Sequence, residues 1–166
     1  MRIDLKSISS GAGTSIPFDY TVDLSGVELQ FAHPFSEPVR IRGTVFNKAD
    51  VFTLSAVVEA VLHVKCARCD RPIERQVHAD VEKVLAKSVE SDENDDIVVV
   101  GDSVELDEIC IPELILATDM VYLCSEDCLG LCPHCGADLN DGPCGCQARE
   151  TDPRLAVLQE LLDRKD

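Results

Sequence analysis

The stretch VFTLSAVVEAVLHVKCARCDRPIERQVHADVEKVL, residues 51–85, reads as one long β-hairpin. Phe52, Leu54, Ala56, Val58, Ala60, Leu62, Val64 and Cys66 fall on one wholly apolar face, while Thr53, Ser55, Glu59, His63 and Lys65 dot the other. A period of two marks a strand buried on one side. The chain reverses through Cys66-Ala67-Arg68-Cys69, and on the return Ile73, Val77, Ala79 and Val81 point inward against Glu74, Gln76, His78 and Asp80. The hairpin therefore carries a CxxC pair at its tip. Strands of this length rarely stay flat, so bulging or barrel-like curling is expected.

The same period appears upstream. Phe18, Tyr20, Val22 and Leu24 alternate with Asp19, Thr21 and Asp23, and Val39 and Ile41 alternate with Arg40 and Arg42 before a turn at Asn47-Lys48-Ala49-Asp50. Downstream, residues 88–108 carry nine acids and no Lys or Arg, which reads as a solvated loop around a short strand at Ile97–Val100. Residues 107–121 predict a helix with Ile111, Leu114, Ile115 and Thr118 along its buried side. Pro112, lacking an amide donor, is expected in its first turn or at a kink. The chain closes on a predicted short helix, capped by Thr151 or Asp152, with Pro153 at its first position and Leu155, Leu158 and Leu162 as its apolar stripe. The fold class is therefore α+β: a mostly antiparallel sheet and a helix over residues 1–121. A cysteine-rich, zinc-stabilised segment follows over 122–166 and ends in the short helix.

Composition narrows the function. The chain is 45% apolar and 28% charged, a globular balance. Aromatics are only 4% and Trp is absent, so the core must be Val, Leu, Ile and Ala. Fifteen Lys and Arg against 31 Asp and Glu leave a formal charge of −16, which repels phosphates and suits a basic protein partner. The opening MRIDLKSISS lacks the apolar run of a signal peptide, and no stretch approaches a membrane span. A cytoplasmic setting is expected, and in a reducing compartment the clustered thiols among nine cysteines point to metal ligands rather than disulfides.

Six of those cysteines lie in 23 residues, CSEDCLGLCPHCGADLNDGPCGC at 124–146. Cys132 and Cys135 form a knuckle, because two intervening residues let one turn aim both sulfurs at one ion. After eight intervening residues Cys144-Gly145-Cys146 supplies the other two ligands of a zinc site. Cys66 and Cys69 form a second knuckle, and Cys124 and Cys128 remain to complete a second site across the fold. A four-thiolate zinc centre carries 2 − 4 = −2, a charge that Lys65, Arg68, Arg71 and Arg75 around the hairpin tip are placed to offset. Cys110 reads as a small buried hydrophobe. His33, His63 and His78 have surface or packing positions, and His134 is outcompeted by the four thiols around it. Catalytic zinc keeps an open position beside His or carboxylate ligands, which two complete thiolate sets lack. There is no P-loop, nucleophile elbow or dinucleotide fingerprint, and neither CxxC opens a helix as a redox pair does. No catalytic residue or small-molecule substrate is indicated.

The string Cys66-Ala67-Arg68-Cys69 in a hairpin, Leu131-Cys132-Pro133-His134-Cys135-Gly136-Ala137-Asp138-Leu139-Asn140, and the tail Asp152-Pro153-Arg154-Leu155-Ala156 together resemble the YceD family, the large ribosomal RNA subunit accumulation proteins. The resemblance covers residues 64–71 and about 106–162. It implies a bacterial cytoplasmic protein needed for normal levels of large-subunit ribosomal RNA, often encoded beside a small zinc-ribbon ribosomal protein. Many members carry Leu where this chain has Asp70. The reading is a non-enzymatic zinc-binding factor of ribosome biogenesis. It would act through a basic ribosomal or assembly protein at the basic hairpin tip or the acidic 88–108 stretch, with direct RNA contact left open. The rival reading is a redox-controlled holdase chaperone that releases zinc from its CxxC/CxC site on oxidation.

Overall fold

The computed structural model describes residues 1–9, 14–29, 32–48, 51–86 and 96–146. In chain order these form β1 (Arg2–Asp4), α1 (Lys6–Ser9), β2 (Ser15–Val22), β3 (Val39–Lys48), β4 (Val51–Lys65), β5 (Pro72–Ala86), β6 (Ile97–Val99), β7 (Ser103–Glu105), α2 (Leu106–Leu116) and a 3-10 turn at Leu139–Asp141. The expected helix beyond Thr151 and the most acidic stretch, 87–95, lie outside the described residues.

A five-stranded sheet runs β2-β3-β4-β5-β6, antiparallel except for the parallel β5–β6 pair, and β1 pairs with β7 in a separate ribbon. The α+β class holds. The sheet is open rather than closed into a barrel, with β2 and the short β6 as its edges. Its register follows the period-two pattern: Ile41 faces Val58, Val45 faces Leu54 and Val58 faces Ala79, all buried on one side. On the other side Arg40 binds Asp19 at 2.9 and 2.6 Å and Arg42 reaches Glu59 at 3.1 Å. β3 and β4 also approach closely at Gly43, where a Cβ would lie 2.3 Å from the Ser55 carbonyl oxygen. No described helix is long and apolar enough to cross a membrane.

The hairpin β4–β5 outgrows its neighbour. β3 stops pairing at Arg40 opposite Glu59, while β4 and β5 continue to Lys65 opposite Pro72. The tip thus projects past the sheet and needs another partner to cover it.

Helix α2 lies on the apolar face, joined to β5 by a Lys83–Glu113 pair at 2.8 Å, and Tyr20 donates to Asp107 at 2.5 Å. Its buried residues are Leu106, Ile109, Cys110 and Leu114, not the predicted stripe of Ile111, Leu114, Ile115 and Thr118. Apolar residues surround this helix, so periodicity could not choose a face. The helix ends at Leu116, short of residue 121, because the Thr118 hydroxyl bonds the Ile115 carbonyl and the chain turns away. Pro112 sits inside the helix, beyond the first turn. Cys110 is fully buried, as expected, and burial pushes its thiol up to about 11.

The N-terminal ribbon and α1 had no signal in the sequence; Asn47 holds α1 in place by donating to the Ile8 carbonyl at 2.8 Å. The close approach at Gly43 makes a direct test. Gly43→Val is expected to cost about 3 kcal/mol by overpacking, seen as a lower urea midpoint at unchanged slope.

Candidate metal centres

At the hairpin tip Cys66 and Cys69 are aimed the same way by one turn. The Asp70 amide donates to the Cys66 carbonyl at 2.9 Å and the Cys66 amide to the Arg71 carbonyl at 2.9 Å. Asp70 adopts the left-handed conformation, φ 57°, which Asp tolerates better than most residues. The second knuckle repeats this design. Gly136 donates to the Cys132 carbonyl at 2.9 Å, Cys132 to the Ala137 carbonyl at 2.8 Å, and Gly136 has φ 72°. The departure at Asp70 thus falls on the position that Gly136 fills in the other turn.

The eight sulfurs form two groups: Cys66, Cys69, Cys124 and Cys128, here the hairpin centre, and Cys132, Cys135, Cys144 and Cys146, here the loop centre. Within each, the sulfurs lie within 4.8 Å of one another. In the hairpin centre Cys66 and Cys128 sulfurs are 3.8 Å apart, and those of Cys69 and Cys124 are 3.7 Å apart. Tetrahedral geometry with metal–sulfur bonds of about 2.3 Å gives sulfur–sulfur edges of about 3.8 Å. A disulfide would need about 2.05 Å. The donor set therefore fits a four-thiolate metal ion. Among the described residues no histidine or carboxylate joins either group. His134 instead donates its backbone amide to the Cys132 sulfur at 3.4 Å, and His63 lies between Glu37 and Glu74.

The protons on these sulfurs tell the same story. Burial pushes the Cys66 thiol up, but the amides of Cys124, Cys69 and Arg68 outweigh it and bring it down to about 6. The Arg71 amide favours the Cys69 thiolate, yet burial and three neighbouring sulfurs push that thiol up to about 12. In the loop centre the amides of Cys135 and His134 bring Cys132 down to about 6, while Cys135 and Cys144 push Cys146 up to about 12. One sulfur in each group ionises readily and another resists, because four touching thiols cannot all carry charge. A bound cation removes that conflict.

Residues 122–141 close over the tip through backbone contacts. Ala67 donates to the Tyr122 carbonyl at 2.9 Å and Leu131 to the Arg68 carbonyl at 3.1 Å, and Gly130, φ 76°, permits the approach. A Cβ on Gly130 would meet the Arg68 oxygen at 3.0 Å.

The tip cations are spent on the same closure. Arg68 donates to the Glu126 and Cys128 carbonyls at 3.2 and 2.9 Å, and Arg71 to Asp138 and Asp141 at 2.7 and 3.0 Å. Arg75 donates to the Leu123 carbonyl, and exposed Lys65 pairs with Asp70 at 2.9 Å. The sequence showed a basic cluster; the fold uses three of its four members as internal ties.

The loop centre is more open than its neighbour, with Cys135 and Cys146 exposed and Cys66, Cys69 and Cys128 buried. Gly142, φ 136°, and Gly145, φ 73°, allow the tight return that brings Cys144 and Cys146 to the knuckle. Sequence reasoning missed Asn140. It donates to the Cys128 sulfur at 3.5 Å from within the other centre's loop.

The family model described as large ribosomal RNA subunit accumulation protein YceD matches residues 54–162. The chain belongs to the YceD family. An uncharacterized protein of Mycobacterium tuberculosis (strain H37Rv) is 33% identical over 97% of this chain and 69% of its own. The uncharacterized protein YlbN of Bacillus subtilis is 27% identical over 92% of this chain and 91% of its own. A large ribosomal RNA subunit accumulation protein YCED homolog 1, chloroplastic, of Arabidopsis thaliana is 26% identical over 81% of this chain and 52% of its own. No solved structure matches. The matched region of this YceD chain spans both centres, α2 and nearly all of the hairpin.

Elemental analysis of protein purified without chelator is expected to find two metal ions per chain; one would leave the Cys66/Cys69/Cys124/Cys128 group empty. Gly136→Val forces a β-branched residue into the left-handed region at a cost of about 1–3 kcal/mol. A chelator is expected to strip metal from that variant at lower concentration than from the parent.

Proposed function

We propose that this protein is a non-enzymatic zinc-binding factor of the cytoplasm that supports accumulation of large-subunit ribosomal RNA through contact with a basic ribosomal or assembly protein. The observation that carries the reading is that eight cysteines make two complete four-sulfur sets in a chain of the YceD family. Zinc suits four-thiolate sites with tetrahedral geometry, and a filled set leaves no position for a substrate or an activated water. Zinc here acts by ordering the chain. It holds a segment without regular elements against the hairpin tip.

The partner follows from charge. The chain carries −16, and at the tip Arg71 is matched by Asp138 and Asp141 and Lys65 by Asp70, while Arg68 and Arg75 turn donors onto backbone carbonyls, which weakens the tip as a phosphate site. A basic protein meets a complementary field, which speeds encounter and weakens with salt. The exposure of Cys135 and Cys146 favours one second reading, a redox-controlled holdase in which oxidation ejects zinc from the loop centre.

Deleting the gene is expected to lower mature large-subunit RNA relative to small-subunit RNA. Purified protein should bind naked ribosomal RNA weakly at physiological salt and without preference over other RNA; tight, salt-steep binding would overturn the protein-contact reading. Mild peroxide is expected to leave both zinc ions in place, whereas zinc loss with gain of client protection would favour the holdase.

A further inference from the structure

Asn140 belongs to the loop centre by sequence, lying between Cys135 and Cys144, but its side chain serves the hairpin centre. Its Nδ2 donates to the Cys128 sulfur at 3.5 Å and its Oδ1 accepts from the Leu129 amide at 2.8 Å. Asp138 aims it, accepting the Asn140 backbone amide at 2.9 Å and its Nδ2 at 2.5 Å. A second tie runs the opposite way. Arg71 ends the hairpin knuckle, where its carbonyl accepts the Cys66 amide at 2.9 Å, and its guanidinium grips Asp138 and Asp141 in the loop.

Both ties end on residues 138–141, a 3-10 turn capped by the Asp138 carboxylate and tied to Gly130 by the Leu139 amide. It lies between Cys135 and Cys144, so an ion in the loop centre would tether the chain on both sides of it. An N–H group directed at a thiolate sulfur favours the charged form, and a four-thiolate centre carries surplus negative charge. Order in the turn therefore reaches the hairpin centre as a hydrogen bond on Cys128 and as a fixed Arg71, whose carbonyl accepts the Cys66 amide.

We propose that the two metal centres are energetically coupled through Asn140 and Arg71, so that filling the exposed loop centre tightens metal binding at the buried hairpin centre. This rests on the reading that both groups hold metal. Linkage makes the coupling reciprocal, and couplings of this kind change affinity by roughly 5- to 150-fold. The exposed centre exchanges its ion with solution more readily, and its occupancy sets how firmly residues 122–131 stay closed over the hairpin tip.

The test uses the full chain and zinc-buffered solutions. The product of the two zinc affinities is measured in the parent. It is compared with the affinities of Cys144→Ser/Cys146→Ser and Cys124→Ser/Cys128→Ser, each of which keeps one centre. The parent product is expected to exceed the product of the two variants roughly 5- to 150-fold, and the excess should vanish when Arg71→Gln and Asn140→Ala are added throughout. A ratio of one in the parent overturns the coupling. A ratio that survives the two substitutions overturns the assignment to Asn140 and Arg71. Fewer than two ions in the parent overturns the metal reading itself, and the coupling with it. Should a cysteine variant fail to fold, Asn140→Ala alone decides, since it keeps all eight ligands. It is expected to take up two ions and to yield both at lower chelator concentration, the loop-centre ion included although the sulfur contact of Asn140 is with Cys128; loss confined to the hairpin centre, or unchanged retention, overturns the proposal.

Discussion

A hairpin that projects past its sheet leaves its tip without a neighbouring strand, and four sulfurs gather there under Leu123. Cys66 and Cys69 come from the tip, Cys124 and Cys128 from a segment more than fifty residues later, and their sulfurs meet at 3.7 and 3.8 Å. The described residues 122–131 are held to the tip around that meeting. Residues 122–131 contain no helix or strand that could bury an apolar face, so local propensity has nothing to hold them with. The contacts seen there are backbone hydrogen bonds to the tip, arginines on carbonyls, Tyr122 against the main core, Leu123 packed on Cys66, Cys69 and Cys128, and the sulfur group itself. A modest core of Val, Leu and Ile supports the sheet and α2, and residues 122–131 gather instead around the sulfurs.

That division explains where the cations go. Two groups of four cysteines in an already acidic chain favour nearby cations. Arg68, Arg71 and Arg75 lie beside the hairpin centre and satisfy carbonyls and carboxylates of the segment that closes over it. A basic motif in a sequence suggests a nucleic-acid surface, but only cations left free by the fold can replace phosphate counterions. At this tip the fold takes most of them first. The contact between Lys65 and Asp70 is exposed and of the kind that contributes little.

The two knuckles are built alike and buried differently. Each has the same pair of backbone hydrogen bonds and a left-handed residue after the second cysteine, Asp70 in one and Gly136 in the other. The hairpin centre is covered by the segment it captures, whereas the loop centre captures only its own return and leaves Cys135 and Cys146 exposed. Equal chemistry in unequal surroundings separates an enclosed centre from one open to solvent.

The period-two pattern over 51–85 determined the hairpin, its inward face and its CxxC tip, because side chains in a strand alternate whatever lies next to them. Cysteine spacing determined both groups of four, since the arithmetic of two knuckles and two further pairs leaves only Cys110 over. Tertiary structure alone decided the rest. The β1–β7 ribbon is made of three-residue strands too short to show a period, and the short strand marked at Ile97–Val100 gave no sign that it would pair parallel to β5. The buried face of α2 was ambiguous because apolar residues ring it, and it is set by the sheet below. The roles of Arg71 and Asn140 were invisible for a similar reason. Each acts on a residue far off in the chain or across a centre boundary, and a hydrogen bond of that kind exists only once the fold has brought the segments together.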